Sequence, residues 1–172
     1  MQNRKIKLEL KKFSEEHLDN TFLWMQNHDL KRNFLIQKNI TRADHGKWYQ
    51  DYCKDLTQKI YAIFADNIHI GNIGLKYINF EAKSAETWIY IGNVKFHGLG
   101  LAYDSYILLF ELLSSVNIEC VCARIARFNE PSQKLYQRLG FTRVKEKSEI
   151  IRFENSSLVI NFYEKSIFDK KR

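Results

Sequence analysis

The chain has 172 residues, 45% hydrophobic and 14% aromatic, so it can bury one substantial core and is too apolar for a disordered chain. Lys and Arg outnumber Asp and Glu by 27 to 20, and the net +7 suits anionic ligands such as phosphorylated cofactors, nucleotide sugars or nucleic acid, whereas a polyamine site would ask for clustered carboxylates. No apolar run approaches the ~20 residues that span a bilayer, Met1–Lys12 is charged where a secretory leader would be apolar, and Cys53, Cys120 and Cys122 make no paired framework; together these predict a reduced, cytoplasmic protein.

Ile6, Leu8 and Leu10 alternate with Lys5, Lys7, Glu9 and Lys11, which predicts a first strand. Ser14 offers an N-cap, with Glu15 and Glu16 at the positive end of a helix carrying Leu18, Phe22 and Met25 to about Asn27. Asn27 to Phe34 reads as a polar, irregular stretch. Thr41 and Asp44 resemble a capping box, opening a second helix with the stripe His45, Trp48, Tyr49, Tyr52 and Leu56.

From Lys59 the period becomes two. Ile60, Ala62 and Phe64 lead to an Asp66-Asn67 turn, and His69 to Phe80 returns as the second arm of a hairpin, interrupted by Gly71 and Gly74. A strand over Ala85–Gly92, a largely apolar helix over Gly100–Val116 and a strand over Ile118–Ala126 follow. On that last strand Cys120 and Cys122 share a face, as packing residues more than metal ligands. Pro131 starts and Gly140 stops a helix over Pro131–Leu139. Strands over Arg143–Lys147 and Leu158–Lys165, separated by a Glu154–Ser157 turn, precede a solvated end at Asp169–Arg172. The pattern is α+β: a mostly antiparallel mixed sheet flanked by helices, with a βαβ unit at its centre.

Two segments carry chemistry. Lys95-Phe96-His97-Gly98-Leu99-Gly100 lies between an apolar strand and a long helix, where glycines let the backbone approach a ligand and free helix N–H groups attract phosphate. No Gly-Lys-Ser/Thr follows it and G-x-G-x-x-G is absent, so nucleotide P-loops and Rossmann sites fit worse. Downstream, Asn129-Glu130-Pro131-Ser132-Gln133-Lys134-Leu135-Tyr136-Gln137-Arg138-Leu139-Gly140-Phe141 is a short helix with one tyrosine on its inner face. In this order the two segments resemble the cofactor-binding half of the GNAT superfamily of N-acetyltransferases, most closely from about Ile60 to Phe141.

The resemblance implies a GNAT fold in one domain over residues 1–172: acceptor-side helices in 1–58, an acetyl-CoA-binding core in 59–147, and a C-terminal strand and tail in 148–172. It implies that N–H groups from about Phe96 to Gly100, spanning His97, Gly98 and Leu99, bind the pyrophosphate. Lys95 stands where the family carries Arg or Gln, so it brings charge without a bidentate fork. The pantetheine arm would pair along Ile89, Tyr90 and Ile91, on a strand that splays from its neighbour after a bulge. An N–H near Tyr90 or Ile91 would polarise the thioester, and Gly92 is compatible with the splay. Asn129 would reach the pantetheine or acetyl end, Ser132 would assist near the coenzyme, and Tyr136 would protonate the departing thiolate. Transfer would be by direct attack, with no metal and no acyl-enzyme, since neither Cys120 nor Cys122 has a Cys–His context. Glu86 and His45 are open alternatives for the base.

On the acceptor side, Trp24-x-x-Asn27-His28, Arg32-Asn33-Phe34 and Ile40-Thr41-x-x-x-His45-x-x-Trp48 resemble the N-terminal pattern of bacterial acetyltransferases acting on nucleotide-linked amino sugars, and also the ribosomal-protein N-terminal branch. A diphosphate and a base ring suit Lys31, Arg32, Arg42 and exposed aromatics, so the preferred partner is a small nucleotide-linked amino sugar. A protein N-terminus or an antibiotic is the alternative acceptor. A nucleic-acid-binding domain and a CoA sensor are alternatives of other classes. The expected partners include neither nucleic acid nor membrane, and allow a homodimer.

Overall fold

The computed structural model describes residues 6–167, so the first five residues and the expected solvated end at 169–172 lie outside it. The elements are β1 (Leu8–Lys12), α1 (Leu18–Trp24), α2 (His28–Asn33), α3 (Arg42–Tyr52), β2 (Lys59–Ala65), β3 (Ile68–Asn79), β4 (Ser84–Ile91), α4 (Leu101–Ser115), β5 (Cys120–Ala126), α5 (Glu130–Arg138), β6 (Thr142–Phe153) and β7 (Ser156–Ser166). The strands form one sheet in the order β1-β2-β3-β4-β5-β7-β6. Every neighbouring pair is antiparallel except β4–β5, which α4 connects as the βαβ unit.

Alternation along β2 divides the core between two sheet faces. Ile63 and Ala65 pack with Leu109 and Leu113 of α4, with Tyr136 of α5 and with Leu139 just after it. Ile60 and Ala62 point the other way, into an aromatic cluster of Phe13, Trp48, Tyr49 and Tyr52 beside α1 and α3. The two helices of the glycine-loop half thus share one face, and the helices of residues 1–58 cover the other. That N-terminal segment also supplies β1, which pairs along β2.

Three local expectations change. Asn27 to Phe34 is not irregular: the Asn27 side chain accepts from the Leu30 N–H at 2.9 Å and caps α2, with Lys31 and Arg32 in the last turn. α3 ends at Tyr52, and Leu56 stands 79% exposed beyond it. β6 runs twelve residues where Arg143–Lys147 was expected, so the boundary drawn at 147 falls inside a strand. A register shift between Val144 and Glu149 breaks the alternation that would have announced its second half.

Candidate active site

β4 and β5 pair only at Ser84–Cys120, Ala85–Val121 and Glu86–Cys122. β4 nevertheless stays paired to β3 as far as Gly71–Ile91, so beyond Glu86 the two central strands part. The bulge beside this splay lies in β3, between Lys76 and Asn79, where Tyr77 takes φ 54°. The resulting cleft has a volume of about 1120 Å³, room for two substrates by the ~300–1,000 Å³ of common ligand sites.

Backbone alternation decides which β4 groups face this wedge. Gly92 N–H donates to Ile70 C=O at 2.8 Å, toward β3, so the polar groups of Ile91 and Ile89 turn into the opening and those of Tyr90 turn back to β3. The Ile91 carbonyl contacts His97 Nε2 at 2.8 Å, as this parity requires. Gly92 itself is dictated by packing, since a Cβ there would run into the Trp24 indole.

Asn93 to Gly100 joins β4 to α4. The Asn93 side chain accepts from Lys95 N–H at 3.2 Å, and Phe96 and His97 N–H groups are spent on Asn93 and Val94 carbonyls in a 3-10 turn. The available donors therefore shift along the chain: among the described residues, the N–H groups of Gly98, Leu99, Gly100, Leu101 and Ala102 have no protein acceptor. Gly98 (φ 75°) and Gly100 (φ 77°) hold the left-handed turns that expose them. His97 and Gly100 line the cleft, Lys95 and Leu99 are exposed, and Phe96 packs onto the main core.

α5 forms the opposite wall. Asn129 caps it by accepting from Ser132 N–H at 3.2 Å, which leaves the Asn129 amide NH₂ to donate elsewhere, and both residues line the cleft. Lys134 and Arg138, one turn apart, also line it, and Arg138 lies 4.1 Å over the Tyr103 ring beside the α4 start. Sequence reasoning did not single out these two cations, although their spacing of four on one short helix was a usable signal.

Tyr136 is 2% exposed, donates to Thr87 C=O at 3.2 Å and bonds the Tyr106 hydroxyl. Burial drives its phenol well above the ordinary tyrosine range, so it is a protonated donor at neutral pH. Cys122, by contrast, is pushed up to about 11 by burial and then by the charge of Glu86, which leaves a neutral, weakly nucleophilic thiol. Among the described residues no three of His, Cys, Asp or Glu gather as metal ligands.

The half of the cleft away from the glycine loop has an aromatic floor. Trp88 and Tyr90 lie nearly parallel with centroids 6.0 Å apart, and Phe34 meets both edge-on at 5.8 and 5.5 Å. Tyr90 is pinned by the Asn72 amide, which donates to its hydroxyl at 2.6 Å and to Thr21 Oγ1 at 2.8 Å. Trp24, Asn27 and Phe34, three of the expected acceptor residues, line the cleft. Glu86, 9% exposed, lines it too, but its Oε1 contacts Lys76 Nζ at 2.9 Å and its Oε2 contacts Arg124 Nε at 3.1 Å. Arg124 also bonds Glu149 at 3.1 Å. Sequence reasoning missed this chain of charges because its members come from four strands.

Other expected acceptor residues stand apart. His45 is buried between Phe22 and Trp48, stacked on the latter at 5.1 Å, and opens on a separate small cavity beside Asp19 and Arg42. Burial, followed by Arg42, lowers the His45 pKa, but it does not border the cleft where an amine would react. Trp48 belongs to the Phe13 cluster. α3 opens at the Thr41–Asp44 capping box and buries His45. His28 is exposed beside Asp29 at 3.6 Å, and Arg32 lies 4.3 Å over Phe128, bridging α2 to the loop before α5.

Comparison with known proteins matches this geometry to a family. The family described as Acetyltransferase (GNAT) domain matches residues 7–142. Acetyltransferase PseH of Campylobacter jejuni is 27% identical over 139 residues, covering 78% of this chain and 85% of the relative. The fold is shared with spermidine N-acetyltransferase from Vibrio cholerae in complex with CoA and spermine (TM-score 0.80, 19% identity, 91% of this chain and 94% of that one). It is shared equally with a Salmonella typhimurium acetyl transferase that modifies the N-terminal serine of a 50S ribosomal subunit protein (TM-score 0.80, 18% identity, 94% and 95%). The chain belongs to the GNAT acetyltransferase family and is an acetyl-CoA-dependent N-acetyltransferase.

Proposed function

We propose that this protein moves the acetyl group of acetyl-CoA to the amine of a nucleotide-linked amino sugar by direct attack. The observation that carries the transfer chemistry is the Tyr136 phenol at the apex of the β4–β5 wedge. In this reading the free N–H groups from Gly98 to Ala102 and the α4 start hold the diphosphate, with Lys134 and Arg138 adding positive field. The pantetheine arm lies along the open edge of β4, and the N–H of Ile89 or Ile91 receives the oxyanion. The C–S bond breaks with its electron pair on sulfur, and Tyr136 supplies the proton.

The acceptor half supports the choice of amine. Of the three carboxylates that line it, Glu86 and Glu149 are paired with Lys76 and Arg124, and Asp29 stands alone at the exposed start of α2, so no free acidic cluster offers itself to a polyamine. The Trp88, Tyr90 and Phe34 faces suit a sugar or base ring, and the cations suit a phosphate. Since both Glu86 oxygens are engaged, the acceptor nitrogen loses its proton to water in this reading; Glu86 orients the two cations.

The test is CoA release from acetyl-CoA with UDP- and TDP-linked amino sugars, peptides and spermidine as acceptors. Turnover of a nucleotide-linked amino sugar at least tenfold faster than the others supports the reading. Turnover of peptides alone would transfer the assignment to protein N-termini.

A further inference from the structure

We propose that Tyr106 is a positioning residue for acetyl transfer: its hydroxyl donates to the Tyr136 oxygen, aims the Tyr136 proton at the wedge, and holds the phenolate left when that proton passes to sulfur. This rests on the reading of Tyr136 as the acid.

The arrangement follows from counting protons. Tyr106, on α4, is fully buried, and its hydroxyl has two neighbours, Tyr136 OH and Thr87 Oγ1 at 3.3 Å. Thr87 Oγ1 has an acceptor of its own in Gly74 C=O at 3.1 Å, and Tyr136 donates to Thr87 C=O at 3.2 Å. Three hydroxyl protons therefore serve two terminal carbonyls, and the one left over, on Tyr106, has two oxygens to go to, Thr87 Oγ1 at 3.3 Å and the Tyr136 oxygen, of which the Tyr136 oxygen is the nearer. The chain runs from Tyr106 through Tyr136 to Thr87 C=O, the point where β4 leaves β5.

The chemistry needs this direction. When the thioester breaks, the electron pair stays on sulfur, the Tyr136 proton moves to it, and CoA departs as a neutral thiol. The negative charge is then on a phenol that is 2% exposed and whose other partner, Thr87 C=O, is an acceptor that repels it. A buried oxyanion without a donor is strongly disfavoured. Tyr106 O–H is the donor in place, and Thr87 Oγ–H can turn to Tyr106 behind it. The proton released by the acceptor nitrogen reaches the phenolate through solvent, so none is gained or lost over the cycle.

The experiment is a double-mutant cycle of Tyr106→Phe and Tyr136→Phe in the full chain, reading kcat and the KM for acetyl-CoA. Tyr106→Phe is expected to lower kcat roughly 10- to 100-fold, as for a hydrogen bond to a charged group, with KM unchanged. In the Tyr136→Phe background the same substitution is expected to cost nothing further. An unchanged kcat in Tyr106→Phe, or equal losses in both backgrounds, would overturn the inference while leaving Tyr136 as the acid. An unaffected Tyr136→Phe would overturn both. Should Tyr106→Phe not fold, 3,5-difluorotyrosine at position 106 keeps the shape but ionises earlier. Its kcat should then fall at lower pH than in the natural protein, and an unmoved pH profile would count against the inference.

Discussion

The Tyr136 hydroxyl donates to the Thr87 carbonyl at 3.2 Å, one residue beyond Glu86, the last β4 residue paired to β5. The phenol thus takes the place of the ladder partner that Thr87 would have found had the strands stayed together. One bond both caps the frayed backbone and fixes the Tyr136 hydroxyl where the wedge narrows. The position of the proposed acid and the strand splay are therefore one structural feature, built from α5 and β4 together.

Tyr136→Phe keeps the ring contacts with Tyr106 and Phe141 and removes only the hydroxyl. General acids contribute roughly 10²- to 10⁴-fold, so kcat should fall by that range while the KM for acetyl-CoA stays within a few-fold. Steady-state measurement of CoA thiol release checks this, and unchanged turnover would reject the acid role.

Gly100→Ala meets no steric obstacle, because nothing lies within 4 Å of the added Cβ, but it forces a side chain onto φ 77°. The cost is backbone strain of about 1–2 kcal/mol. Relaxing that strain would turn away the N–H groups at the α4 start. The expected result is a raised KM for acetyl-CoA, a slightly lower Tm and little change in kcat.

Gly92→Ala places a methyl group inside the Trp24 indole. Trp24 must yield, and overpacking of this kind costs about 1–3 kcal/mol. Because Trp24 lines the acceptor half of the cleft, the KM for the amine should rise more than that for acetyl-CoA. Equal changes in both would show that Trp24 only supports the fold.

Burial holds His17, His45 and His69 below the ordinary imidazole range. In the unfolded chain each takes up a proton near pH ~6.5, whereas in the folded protein each resists it. The unfolded state binds more protons there, so stability is full above that pH and declines as pH falls through it. Thermal unfolding from pH 8 to pH 5 should show Tm dropping, with a shallower slope in His69→Gln. A flat profile would mean these rings titrate freely in the fold.

Short-range features were readable without a structure. Strand alternation, the Thr41–Asp44 box, Pro131 at the start and Gly140 at the end of α5, and the two glycine turns are set by residues within one turn or one strand of each other. So were the order of the elements and the family resemblance carried by the glycine loop and the Asn129–Phe141 helix. α2 escaped because a six-residue helix has too few turns to show a period, although Asn27 marked its start.

What the chain order could not convey is which side chains converge. His45 and Glu86 are both polar residues in apolar surroundings, and only packing sent one into an aromatic cluster away from the cleft and the other between Lys76 and Arg124 at its wall. Tyr106 and Tyr136 are thirty positions apart on different helices and meet because both helices cover one face of the sheet. Local backbone preferences act over a few residues and are written in order along the chain. The direction of a backbone N–H in the wedge, the pairing of a carboxylate and the donor behind a phenol depend on strand parity and burial, which exist only once the sheet has closed.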